Sequence, residues 1–492
     1  MMSDTGTDAA GPAVTPARAT KVFGVSGLAI LTFAFLANVN TTPQLAKFGL
    51  GSIVLFLMAI FLFLTPTAMT SAEMGAAWPR TGGIYVWTRL AFGEGIGFIV
   101  IWLEWANFVI AWPSLMGTFT LQASYAVNPN LNDSTAFLVV CVVVITWFAA
   151  LIALRGMEVT KIVAWYSVLA GSVIPAILLV AFAIAYLAEG HQPAMDIGFG
   201  ALVPDFSFEN IAFISGALLM FSGIEIAAIH AGDVRKPGRT IPRANFIAVG
   251  LCLLLFLPLT LAISIVIPSS KINIVVGLPQ AADVIFSASN VGWLTPVFCF
   301  LIVSGLVASL VQIVNGPSRG LLVAGREGGN LPPFLQKENR RKMPVAIIIA
   351  QATISSILSL GYLVLGSVQN AWFMFALIQT NMVLVMYLFM FCAVIKLRYS
   401  RPDVNRPYEI PGKKVGLWLV SGVGMLVCVI GLLIGFFPTS EANGLPTWIY
   451  VLVLIVGTAG FVCMPFIFWI FRKPSWMANE VTNFETVDPE AT

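Results

Sequence analysis

Runs of about twenty apolar residues recur along this chain from end to end, and each is long enough to cross roughly 30 Å of hydrocarbon as a helix. No other feature restricts the fold as severely. The runs fall at 23–42, 50–70, 95–125, 136–154, 161–187 and 210–230, then at 244–267, 291–322, 344–364, 369–395, 415–437 and 447–471. Hydrophobic residues make up 58% of the 492 and charged ones 10%, against about a quarter charged in ordinary soluble domains. A single globular core could not hide that much apolar surface, whereas a bilayer can. The sequence therefore predicts an all-α integral membrane protein of twelve transmembrane helices. Two of the runs, 95–125 and 291–322, exceed the minimum and predict tilt or an extra turn.

Charge sets the expected orientation. Basic residues collect in short cytoplasmic loops, and with both termini inside, only Lys47 and Lys271 of the 26 lysines and arginines fall outside. The net charge of +3 then follows from topology and points to membrane lipid as a partner, not to nucleic acid. Residues 1–20 are polar, small and rich in Pro and Ala, and lack the apolar core of a cleavable signal. They are expected to form a cytoplasmic tail, with a twelve-helix transporter domain at 21–472 and a second short tail at 473–492. The six cysteines lie within expected spans without CxxC spacing, so neither a disulfide framework nor a zinc site is predicted. Buried small hydrophobes are the simpler reading.

Two spans are interrupted. The first ends in Ala37-Asn38-Val39-Asn40, where asparagines and β-branched residues spoil a good helix, and the sixth places Gly223 and Glu225 in mid-membrane within Phe221-Ser222-Gly223-Ile224-Glu225. These are corresponding members of two five-helix halves, and paired interruptions at matching positions point to a transporter site built on broken helices. Irregular backbone survives at that depth only where it lines a cavity, because hydrocarbon satisfies no free amide or carbonyl. The alternative, that Gly223 only lets helices pack closely, is weakened by the carboxylate two residues on.

Four segments carry a family resemblance. Ser222-Gly223-Ile224-Glu225 with Asp233-Val234-Arg235-Lys236-Pro237-Gly238-Arg239-Thr240-Ile241-Pro242-Arg243 resembles the G-[FIV]-E…V-x-[NK]-P-x-R-x-[IV]-P stretch of the amino acid–polyamine–organocation superfamily. Ala72-Glu73-Met74-Gly75 with Pro79-Arg80-Thr81-Gly82-Gly83-Ile84-Tyr85 resembles its A-E-[LM]…P-x-x-G-G-x-Y loop. Asn315-Gly316-Pro317-Ser318-Arg319 with Leu331-Pro332-Pro333-Phe334 is similar to its eighth-span exit, and Arg406-Pro407-Tyr408 with Pro411-Gly412 to the loop after its tenth. Ile224-Glu225 followed by His230, Pro43, and Arg155-Gly156 are most similar to the glutamate:GABA antiporter branch.

The resemblance implies a LeuT-like fold: a 5+5 inverted repeat with helices 1 and 6 broken, followed by helices 11 and 12. It also implies alternating access and, usually, obligatory exchange of small amino acids or amines without a cofactor. A substrate's α-carboxylate is then expected on amides of Phe33, Ala34, Phe35 and Leu36, and its α-amine on carbonyls of Phe221, Ser222 and Ile224. Glu225 matches a sixth-span glutamate tied in relatives to proton-sensitive gating, and Tyr387 matches the tyrosine that partners it. A buried carboxylate is costly enough to demand a role, and proton acceptance is the role expected of Glu225. The alternative is a glutamate held permanently by hydroxyls and amides.

Glu104 is the other acidic residue well inside a span. Aligned with arginine–agmatine exchangers it falls where a small residue faces the distal guanidinium, with Gln379 near the same end. A carboxylate there favours a distal positive charge and repels the second carboxylate of glutamate, a departure from the glutamate:GABA pattern. The alternative is that Glu104 pairs with a neighbouring helix. Trp105 and Trp112 are candidates to wall the site, though aromatics in long spans more often serve packing. Arg340-Arg341-Lys342 reads as a solvated loop with lipid contact as an option.

Three function classes remain at this point: an exchanger, a proton- or sodium-coupled symporter on the same fold, and a membrane enzyme or channel. The last lacks a GxSxG, HExxH or nucleotide-loop cluster and has only His191 and His230. Proton-coupled relatives carry a lysine inside the fifth span, and here Lys161 stands only at its edge. Ser304 and Ser309 could supply oxygens to sodium, so that option stays open. The expected protein is a non-enzymatic carrier, without metal or cofactor, in the cell membrane.

Overall fold

The computed structural model describes residues 24–80, 82–127, 135–206, 220, 222–225, 234–364, 368–437 and 446–477. Eleven helices among them are long and apolar enough to cross a membrane. The sixth expected span, 210–230, lies mostly outside the described residues, as do Phe221 and His230.

The first span breaks where the asparagines stand. Helix α1 (Val25–Leu36) ends at Ala37, and a 3₁₀ turn over Val39–Thr41 leads to α2 (Thr42–Ala46). The side chain of Asn38 accepts from the Asn40 amide at 3.2 Å. The hydroxyls of Thr41 and Thr42 donate to the carbonyls of Asn38 and Val39 at 2.9 and 2.6 Å. Short polar side chains thus claim backbone groups that a continuing helix would use, and Pro43, which has no N–H to give, opens α2 at no cost.

Proline also marks two π-turns. Helix α3 (Gly51–Ala77) widens at Ile60–Leu64 just before Pro66. The next elements are α4 (Ile84–Phe92), α5 (Glu94–Val127), α6 (Thr135–Ala153) and α7 (Met157–Val168). A second π-turn, Leu169–Val173, joins α7 to α8 (Ile174–Ala188) just before Pro175. Each proline removes one donor from the ladder, and a one-residue bulge absorbs the gap. The chain continues through α9 (Pro237–Val266), α10 (Gly277–Ala288), α11 (Leu294–Gly328), α12 (Val345–Leu358), α13 (Val368–Ser400), α14 (Lys413–Ile434) and α15 (Thr447–Ile470).

Helix α5 is almost wholly buried and packs against α11 and α13, whereas α15 is almost wholly exposed and α14 largely so. Polar residues are spent inside: Glu104, Asn107, Ser114 and Thr118 on α5 are all buried. The second π-turn meets α11 backbone to backbone. A Cβ placed on Gly171 would lie 2.6 Å from Gly305 Cα, a separation that only two glycines allow.

The motif segments stitch one end of the bundle. Glu73 at the end of α3 takes two contacts from the Arg398 guanidinium and the Ile410 amide at 2.8 Å, with Arg406 Nε 3.6 Å away. Arg406 lies over the Trp78 ring. The sequence segments containing Ala72-Glu73 and Arg406-Pro407-Tyr408 therefore meet in space. Beside them Tyr85 donates to Glu94 at 3.0 Å, and Arg89 bridges Glu94 and Glu327 at 2.5 and 3.1 Å, tying α4, α5 and α11. Burial, reinforced by Glu94, keeps the Tyr85 phenol protonated well above its ordinary range. At the opposite end Gln122 Nε2 donates to Asn40 Oδ1 at 2.8 Å and to the Val275 carbonyl at 3.1 Å.

Candidate functional site

A cavity of about 140 Å³ lies between the break of α1, the non-helical segment 222–225, and the inner faces of α5, α11 and α13. The free backbone at the break is partly claimed by span five. The Ser172 hydroxyl, carried on the second π-turn, donates at 2.5 Å to the carbonyl of Ala37, the residue that caps α1. The Ser167 hydroxyl donates at 2.9 Å to the Gly305 carbonyl. Those two serines join the broken helix to α11 without a charged atom.

The segment 222–225 turns at Gly223, whose φ of +112° favours glycine. Its amide donates to the Tyr387 hydroxyl at 2.8 Å, and that hydroxyl donates to Glu225 Oε2 at 2.5 Å. Phe63 holds the tyrosine ring edge-on, with centroids 5.2 Å apart. Glu225 reaches the cavity wall while Tyr387 stands behind it.

Of the residues singled out from sequence, Ala34, Phe35, Leu36, Glu104, Ser222, Glu225 and Gln379 line this one cavity. Phe33 and Ile224 are buried but face elsewhere, and Phe221 lies outside the described residues. Trp105 and Trp112 are not on the lining. Helical period explains the difference: Glu104, Asn107, Ala111, Ser114 and Thr118 recur at spacings of three and four and share the inward face. Trp105 is rotated about 100° away and packs on Trp102, centroids 5.1 Å apart. Ser309 lines the cavity with its hydroxyl on the Leu306 carbonyl, whereas Ser304 is off it and bonds Tyr166.

The lining also holds residues not foreseen from sequence, chiefly Asn107, Thr118 and Trp372. Trp372 Nε1 donates to Thr118 Oγ1 at 2.9 Å, closing α13 onto α5. The inward stripe of polar residues on α5 was a signal able to find Asn107 and Thr118. The partner of Thr118 comes from 254 residues away and had none.

Electrostatically the cavity is one-sided. Two carboxyl side chains reach it, and no lysine, arginine or histidine does among the described residues. Glu104 is 1% exposed, and neither of its oxygens has a hydrogen-bond partner there. Among the described residues no three His, Cys, Asp or Glu side chains gather as a metal site would require.

A bundle of membrane-crossing helices around an internal cavity, with the break of α1 and the non-helical segment 222–225 on its wall, defines a multi-pass membrane carrier. The chain belongs to the amino acid permease family, whose sequence pattern matches residues 20–460. It is 32% identical to an uncharacterized transporter of Legionella pneumophila, over 92% of this chain and 97% of that one. It is 28% identical to the glutamate/gamma-aminobutyrate antiporter of Lactococcus lactis strain IL1403, over 91% and 90%. A probable agmatine/putrescine antiporter of the same strain is 23% identical over 87% of this chain and 91% of its own length.

Proposed function

We propose that this protein exchanges amino acids or related amines across the cell membrane by alternating access. In this reading its twelve spans form a 5+5 inverted repeat followed by two further helices, with both termini cytoplasmic. Small cytoplasmic tails at 1–20 and 473–492 flank the transporter domain. The observation that carries the proposal is the cavity itself, set between the end of α1 and the segment 222–225, both of which bring irregular main chain to its wall. A substrate carboxylate would rest on amides near Ala34, Phe35 and Leu36, and an amine on carbonyls near Ser222. Glu225, with Tyr387 behind it, would couple protonation to the change of access. Lining acidity favours a substrate with a distal positive charge: unit charges about 4 Å apart attract by roughly 4 kcal/mol at an effective dielectric near 20, less what desolvation costs.

Purified protein in liposomes tests the exchange. Uptake of a labelled amino acid or amine should depend on unlabelled substrate inside the vesicle. Uptake that proceeds equally into empty vesicles and follows an imposed proton or sodium gradient would replace exchange with symport.

A further inference from the structure

We propose that Glu104 and Asn107 together form a subsite for a cationic nitrogen, a primary ammonium or a guanidinium, and that this pair determines which substrates the carrier accepts. The inference rests on the cavity being the substrate site and adds the chemistry that one wall of it selects.

Three residues apart on α5, the two side chains lie on one face of the helix about one turn from each other, and both line the cavity. Glu104 is 1% exposed and Asn107 4%. Glu104 Oε1 and Oε2 and Asn107 Oδ1 have no hydrogen-bond partner among the described residues. Three buried acceptors with nothing to accept from stand within one helical turn on the cavity wall, whereas buried polar atoms are usually paired. Further along the same face the Thr118 hydroxyl donates to the Ser114 carbonyl and receives Trp372.

The rest of the wall does not quench these acceptors. The other carboxyl on the cavity, Glu225, has one oxygen engaged by Tyr387, and no basic side chain reaches the lining among the described residues. A ligand group that brings several donors would satisfy these oxygens together. An ammonium brings three and a guanidinium five. A methyl group leaves the three oxygens unpaired, and a carboxylate adds repulsion to the same deficit. Diamines and basic amino acids carry such a group opposite the end that a broken helix would hold, while glutamate carries a carboxylate there.

Self-exchange in proteoliposomes, run separately for putrescine, lysine, leucine, GABA and glutamate, is the test. Putrescine or lysine should exceed leucine and glutamate in Vmax/KM by about tenfold or more, the scale of one specificity contact. Glu104→Gln should erase that preference. Asn107→Leu should raise the KM for the cationic compounds several-fold while leaving their Vmax in place, a split that a merely structural role would not give. Glutamate or leucine exchanging as fast as the cationic compounds in the wild type would overturn the subsite and leave exchange standing. If nothing exchanges, the transport reading fails, and thermal stabilisation decides the subsite by itself. A Tm raised by putrescine in wild type but not in Glu104→Gln keeps it, and no rise with any cationic compound removes it.

Discussion

The hydroxyl of Tyr387 stands between the Gly223 amide at 2.8 Å and Glu225 Oε2 at 2.5 Å, so one phenol on α13 satisfies both an irregular backbone and a buried carboxyl. The arrangement makes the turn at 222–225 depend on a side chain 162 residues away from Glu225.

Tyr387→Phe and Glu225→Gln separate the two uses of that phenol. The phenylalanine removes the hydroxyl that the Gly223 amide and Glu225 share, and thermal unfolding should show a loss of about 1–3 kcal/mol. The glutamine keeps an acceptor for the Tyr387 hydroxyl and removes the titrating proton, so the protein should remain folded while transport loses its pH dependence. A wild-type pH profile in Glu225→Gln, measured as exchange rate across about pH 5 to 8, would leave Glu225 a packing residue.

Glu73 is expected to be among the most sensitive positions for stability. Its carboxylate is 1% exposed and holds Arg398, with Arg406 close by and the Ile410 amide bound. Glu73→Gln removes the buried charge facing Arg398 and Arg406 and leaves them Glu409 and backbone carbonyls, so the loss should approach but not exceed the roughly 3–5 kcal/mol of a broken buried pair. The check is the Tm in detergent, and Glu73→Asp, which keeps the charge one methylene short, should recover part of it.

Gly305→Ala tests the glycine contact between α11 and the second π-turn. Because backbone faces backbone there, an added methyl cannot be absorbed by a side-chain rotation. Overpacking should cost about 1–3 kcal/mol. It should also pull the Ser172 hydroxyl off the Ala37 carbonyl, with exchange falling more than stability alone explains. Wild-type exchange and Tm in this variant would show that α11 and the π-turn can part freely.

The features legible in sequence were those that a single segment displays. The break in the first span shows in Asn38, Asn40 and Pro43 because their chemistry acts on their own backbone. The charge of Glu104 shows because a carboxyl in an apolar run has no local excuse. Trp105 misled because neighbours in a helix point a hundred degrees apart, and only the phase of the whole stripe tells which one faces inward. The ion pair of Glu73 with Arg398, the Gly171–Gly305 contact and the latch of Trp372 on Thr118 each join distant segments. Nothing in either segment alone specifies the other, so motif residues could be recognised as text without their mechanical purpose being readable.

The orphaned carboxyl of Glu104 also bears on what happens when supply fails on one side of the membrane. Under the proposed exchange, the carrier loaded with a cation would turn over with the oxygens of Glu104 and Asn107 paired; unloaded, it would turn over with those acceptors bare, a penalty on the order of a few kcal/mol and hence roughly a hundredfold in rate. The unloaded return is the step by which any shuttle squanders a gradient. On the proposed exchange reading, a protein built with this deficit would stall when its counter-substrate is exhausted and would not leak.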